Sequence, residues 1–206
     1  AQAAQRAGAG MVSLAVPAES EIVYKIAMTT VVVQPFRDTN LYREFIAGPR
    51  VSACLVGPGN EVIGSTRERA LVALRTGKPV VLDADAISVF ELSPELLFET
   101  IQGPCVMTPH DGEFARLFGS GGDKLQRTRR AARRSGAVIV LKGADSVIAA
   151  PDGRVVINDN APPDLATGGS GDVLAGIIVG LLAQRMDAFD AACAAVWMHG
   201  DAAARF

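Results

Sequence analysis

The stretch Thr167 to Gly180 reads TGGSGDVLAGIIVG, and its two halves ask for different backbones. Gly168, Gly169 and Gly171 lack a β-carbon, so the chain can turn there in ways that bring its N–H groups close to a phosphate. From Val173 onward an apolar helical pattern takes over, and the positive end of that helix dipole faces the same anion. Asp172 falls in the first helical turn. A carboxylate there either complements the dipole or acts as a catalytic base beside a bound phosphate, and the pattern leaves both open.

Outward from this turn, strands alternate with helices. Ser146 to Ala150 and Val155 to Ile157 read as a hairpin around Pro151, Asp152 and Gly153. Ala137 to Leu141 is a strand that ends on Lys142 and Gly143, a lysine poised for phosphate. Before it, Lys124 to Ser135 is a helix whose Arg127, Arg130, Arg133 and Arg134 read as a solvated basic face. The strand Cys105 to Thr108 delivers Pro109, His110, Asp111, Gly112 and Glu113 into a loop. His110 and Glu113, three apart at a helix start, can both face a crevice; Thr108 as N-cap with acids in the first turn accounts for the same residues structurally. Pro79 to Leu82 runs into Asp83, Ala84 and Asp85. Two carboxylates two apart can point together at a hydroxylated ligand or a magnesium ion, or Asp85 can cap the next helix. Ala53 to Val56 runs into Gly57, Pro58 and Gly59, either a plain tight turn or a ligand loop.

Further out, Met11 to Pro17 and Val31 to Val33 are strands, and Arg67 to Thr76 and Asp190 to Arg205 are helices. His199, in the last of these, reads as structural. The alternation predicts an α/β fold, a mainly parallel central sheet with helices on both faces. In such sheets the loops at the carboxyl ends of strands build the ligand crevice, and that is where these polar clusters fall.

Composition narrows the partners. The 206 residues are 49% hydrophobic, enough for one domain with a sizeable core, and their net charge of -2 gives no basic footprint for nucleic acid or an anionic membrane. The longest apolar run, Val173 to Ala183, is far below the ~20 residues that span a bilayer. Cys54, Cys105 and Cys193 are odd in number and far apart, which suggests neither a disulfide framework nor a metal site and fits a reducing cytoplasm. Ala1 to Ala7 reads as the second half of a helix and Phe206 as the middle of another, so the expectation is a single domain over 1–206, truncated at both ends.

VLDADA (residues 81–86), TPHDGE (108–113), VLKGADS (140–146) and ATGGSGDVLAG (166–176) together resemble the nucleotide-dependent NAD(P)H-hydrate dehydratase family, which has the ribokinase-like fold. RAGAG near Arg6 and GPG at Gly57 extend the likeness over nearly the whole chain, and GGSGD differs from the GAGD usual in sugar and vitamin kinases. Three departures stand out. Pro162, Pro163, Asp164 and Leu165 replace the family's NPGM-like loop, Asn60 and Glu61 follow GPG where LG is usual, and the glycine-rich opening strand is missing.

The resemblance implies dehydration of NADHX or NADPHX, with ADP or ATP as co-substrate together with Mg2+. It implies Asp172 as the base, and Gly169, Ser170 and Gly171 as an anion hole. Lys142, Gly143, Ala144, Asp145, Ser146 and Gly171 would hold the nucleotide. Gly59, Asp85, His110, Glu113 and Asp172 would hold the hydrate. It further implies a cytoplasmic homo-oligomer, often fused to an NAD(P)H-hydrate epimerase domain. The rival readings are a ribokinase-like kinase of a small hydroxylated vitamin precursor and a non-catalytic nucleotide sensor.

Overall fold

The computed structural model describes residues 1–205; the expectation for Phe206 lies outside them. Six strands form the central sheet, in the order in which they occur in the sequence: β3 (Cys54–Val56), β4 (Val80–Leu82), β5 (Cys105–Met107), β6 (Val138–Leu141), β7 (Ser146–Ala149) and β8 (Val155–Asn158). The pairs from β3 to β6 are parallel, and β7 and β8 turn back as the expected antiparallel hairpin. β1 (Ser13–Pro17) and β2 (Val32–Phe36) make a separate parallel pair.

The inner strands are continuous apolar runs because both faces of the sheet are covered. Val80, Leu82, Met107, Ile139 and Leu141 point to one core, shared with α4 (Gly64–Leu74), α6 (Pro94–Thr100), α7 (Asp111–Phe118) and α8 (Lys124–Ser135). Val81, Val106, Val138 and Val140 point to the other, filled by α9 (Ser170–Ala183) and α10 (Ala188–Ala204). α1 (Gln2–Arg6) lies on α9, where a β-carbon on Gly176 would stand 2.9 Å from Ala3 Cβ and one on Gly180 2.8 Å from the Ala4 carbonyl oxygen. Two glycines one helical turn apart thus set the depth of that contact.

Three helices were not expected: α2 (Glu21–Ala27), α3 (Thr39–Ala47) and α6; the helix expected after Asp83 to Asp85 is the short α5 (Asp85–Ser88). α3 is capped by Asp38, whose carboxylate accepts from the N–H groups of Asn40 and Leu41. The solvated basic face expected on α8 is corrected in part. Arg127 stacks its guanidinium over Phe114 and pairs with Asp111, and Arg134 does the same over Phe98 with Glu95. Long stems over aromatic rings explain why the run is not simply solvated. No helix among the described residues is long and apolar enough to cross a membrane.

Candidate functional site

β3 to β6 all end on the same rim. At the end of β4, Asp83 is buried, and its Oδ1 accepts from Thr108 Oγ1 at 2.8 Å and from Lys142 Nζ at 2.9 Å. A buried carboxylate needs such donors, and a lysine ammonium with a hydroxyl is a sufficient set. The Asp83 carbonyl oxygen would stand only 1.7 Å from a β-carbon on Gly57, so only glycine lets β3 leave the sheet at this point. Ala84 has φ 49°, a left-handed conformation that a side chain disfavours. It separates the two carboxylates. Asp83 turns inward, while Asp85 Oδ2 accepts from the Glu61 N–H at 2.8 Å and so holds the loop that contains Gly59. The expectation that Asp83 and Asp85 point together is therefore wrong, and Asp85 is the first residue of α5 and not its cap.

At the end of β5 the cap is His110. Its Nδ1 accepts from the N–H groups of Gly112 (3.0 Å) and Glu113 (3.2 Å), and Glu113 Oε2 accepts from the His110 N–H at 2.8 Å. This reciprocal box places the ring proton on Nε2, with the ring at the surface. Thr108, the alternative cap, is committed to Asp83 instead. Glu113 is buried, with Oε2 3.9 Å from Lys142 Nζ. It supports the rim from beneath rather than lining it.

Lys142 is therefore the hub of this rim and not a free phosphate ligand. It also touches the glycine turn: a β-carbon on Gly171 would stand 3.3 Å from its Nζ. Gly169, at φ 86°, is the N-cap of α9, and no side chain caps this helix start. The Ser170 N–H donates to the Thr167 carbonyl at 3.4 Å and the Val173 N–H to the Gly169 carbonyl at 3.2 Å, which leaves the N–H groups of Gly171 and Asp172 between them without an acceptor among the described residues. Asp172 itself is exposed. The Ser170 hydroxyl donates to the Leu165 carbonyl at 2.7 Å and its N–H is held by the Thr167 carbonyl, so neither Ser170 donor is free for the anion-hole role expected of it. His199 is half-buried on α10; burial lowers its pKa from the ordinary value, partly offset by a hydrogen bond with the Ser170 backbone.

The segment that leads into the divergent loop is also tied down. Asn160 Nδ2 donates to the Trp197 carbonyl at 2.9 Å, and its Oδ1 lies where a β-carbon on Gly200 would be, 2.0 Å away. Beyond β6, the loop Gly143 to Ser146 closes on itself through Ser146 Oγ to the Gly143 carbonyl, 3.1 Å. Asp145 is turned away to Lys124, whose Nζ donates to its carbonyl oxygen (2.5 Å) and its Oδ1 (2.7 Å). That hydrogen bond holds the Asp145 carboxyl below its ordinary range. Asp83 and Lys124 were missed as supporting residues. Asp83 had a signal, an acid at a strand end opposite a lysine at another; Lys124 had none, being the first of a basic run. With Asp83 facing Lys142, Asp85 facing Glu61 and Glu113 facing His110, the carboxylates do not form a magnesium site held by the protein alone.

Fold and rim define a ribokinase-like α/β protein with a helix start that no side chain caps, beside a lysine held by buried acids. The profile of one family within that class, described as NAD(P)H-hydrate dehydratase, matches residues 1–206, and the chain belongs to this family. It is 40% identical to the bifunctional NAD(P)H-hydrate repair enzyme Nnr of Salinibacter ruber, over 100% of the chain and 40% of that protein. To the ADP-dependent (S)-NAD(P)H-hydrate dehydratase of Neisseria meningitidis it is 42% identical, over 74% of the chain and 53% of that protein. Among solved structures, the ADP/ATP-dependent NAD(P)H-hydrate dehydratase of Bacillus subtilis, co-crystallised with ATP and Mg2+, superposes with a TM-score of 0.81 at 28% identity, covering 97% of this chain and 73% of that one. The chain thus spans about half or less of the length of the two curated relatives.

Proposed function

We propose that the chain carries out the nucleotide-dependent dehydration of NADHX or NADPHX to NADH or NADPH, with ADP or ATP as phosphoryl donor. The observation that carries this reading is the start of α9. Two free N–H groups and an exposed carboxylate, those of Gly171 and Asp172, share one helical turn directly over Lys142. Hydroxide is a poor leaving group, and phosphorylation of the hydrate hydroxyl makes it a good one. Asp172 takes the proton from that hydroxyl as its oxygen attacks the terminal phosphate, and the phosphorylated hydrate then expels phosphate. The N–H groups stabilise charge on the phosphoryl group in transfer, about 3 kcal/mol for each donor.

In the same reading Gly143 to Ser146 frames the nucleotide, while Gly59, Asp85 and His110 frame the hydrate. Lys142 sets the height of the glycine turn through Gly171. Magnesium enters with the nucleotide phosphates, and no step here runs through it. The names and greater length of the bifunctional relatives support fusion to an NAD(P)H-hydrate epimerase domain. A cytoplasmic homo-oligomer completes the reading, carried by the family likeness and by nucleotide substrates of that compartment.

The test is incubation with NADH hydrate and ADP or ATP, followed by absorbance at the reduced nicotinamide band. Recovery of NADH with release of AMP and phosphate from ADP supports the reading. A stable phosphorylated product would point to a vitamin-precursor kinase instead, and nucleotide binding without turnover to a sensor.

A further inference from the structure

We infer that the first turn of α8 is a strut between the two ligand loops of the rim, with Lys124 and Arg127 as positioning residues for the nucleotide and hydrate sides. This rests on the reading of the site given above. Residues three apart on a helix share a face, and here that face reaches two loops at once. Lys124 holds Asp145 by both its carbonyl and its carboxylate, with the Lys124 side chain only 20% exposed. Its Nζ fills the space that a side chain at Gly143 would need, 2.6 Å from the position of a β-carbon there. One turn on, Arg127 pairs with Asp111, the residue that follows the His110 cap.

The Arg127 contact is fixed by packing. Its side chain is 14% exposed and lies over Phe114, in α7 itself, with 5.2 Å from the guanidinium carbon to the ring centroid. Arg127 Nε is the only buried side-chain nitrogen or oxygen without a partner among the described residues. A buried donor is seldom left so, and here the guanidinium is oriented for Asp111 rather than for its own full satisfaction. Asp123 caps α8 through the Gln126 N–H at 2.9 Å, so the turn that carries both cations is well formed. The strut keeps two loops from different strands at a constant separation, which transfer between two bound molecules requires.

The experiment compares wild type with Lys124→Met, the milder Lys124→Gln, and Arg127→Met. Calorimetry reads ATP binding without turnover, steady-state kinetics read KM and kcat for each substrate, and amide exchange reads residues 143–146. Loss of a charge-assisted hydrogen bond predicts roughly tenfold weaker ATP binding in both Lys124 variants, with faster exchange in that loop. Arg127→Met is expected to raise the KM for the hydrate about tenfold, with ATP affinity changed less than in the Lys124 variants. In all three, kcat changes less than the affected KM. Wild-type ATP affinity and loop exchange in both Lys124 variants would overturn the inference while leaving the proposed function intact. Failure of the wild type to bind either ATP or ADP would remove both.

Discussion

The reading of Asp172 separates cleanly from its structural alternative. Asp172→Asn keeps the shape of the helix start but cannot accept a proton, so turnover with NADH hydrate should fall roughly 10²-fold or more with nucleotide affinity held or improved. If Asp172 only complements the helix dipole, the same variant melts earlier and keeps its rate per folded molecule. Rate and melting curve on one preparation decide between them. Ala84 offers a second test. Its φ of 49° with ψ of -117° suits glycine, and it sits where Asp83 must turn inward while Asp85 turns outward. Ala84→Gly should raise stability in urea by roughly 1 kcal/mol, the relieved strain exceeding the entropy gained by the unfolded chain; a loss of stability would show that Ala84 is not strained. The glycine turn and its acid were legible in the sequence because their chemistry is local. The Asp83 to Lys142 pair was not, since it joins residues 59 positions apart. Nor was the His110 cap, because an imidazole nitrogen there does what a hydroxyl or carboxylate usually does.

Among the elements, α9 and the turn that leads into it put glycine to two uses that one substitution pair can tell apart. A β-carbon at Gly180 meets the backbone of α1, whereas one at Gly168 meets nothing within 4 Å. Gly180→Ala should therefore cost about 1–3 kcal/mol of stability by overpacking. Gly168→Ala should leave the melting temperature nearly unchanged and, on the proposed reading of the turn, weaken ATP binding. Equal loss of stability in both would contradict this division. Strands β3 to β8 were recognisable because each is a short apolar run closed by glycine, proline or a charged residue. α2 and α6 were harder to see, each being seven residues long and held by packing rather than by a periodic stripe.

For the whole molecule, the loops that frame both ligands hang from strands packed into both cores, so ligand binding should be felt by the entire fold. ATP at a hundred times its dissociation constant should add about 2.7 kcal/mol to unfolding and raise the melting temperature accordingly. A melting temperature unmoved by ATP, ADP and AMP alike would argue that the rim binds no adenine nucleotide. The order of the sheet has a further consequence for how the protein is made. Each strand from β4 to β8 pairs with the one before it, so a chain emerging from the ribosome can add them singly to β3, and none must insert between two already joined. The exception is α1. It rests on α9, more than 160 residues later, and so has no seat until α9 has been made. The glycine turn is synthesised immediately before that seat, so nascent chains released before α9 would carry strands β3 to β8 without Asp172, the proposed base.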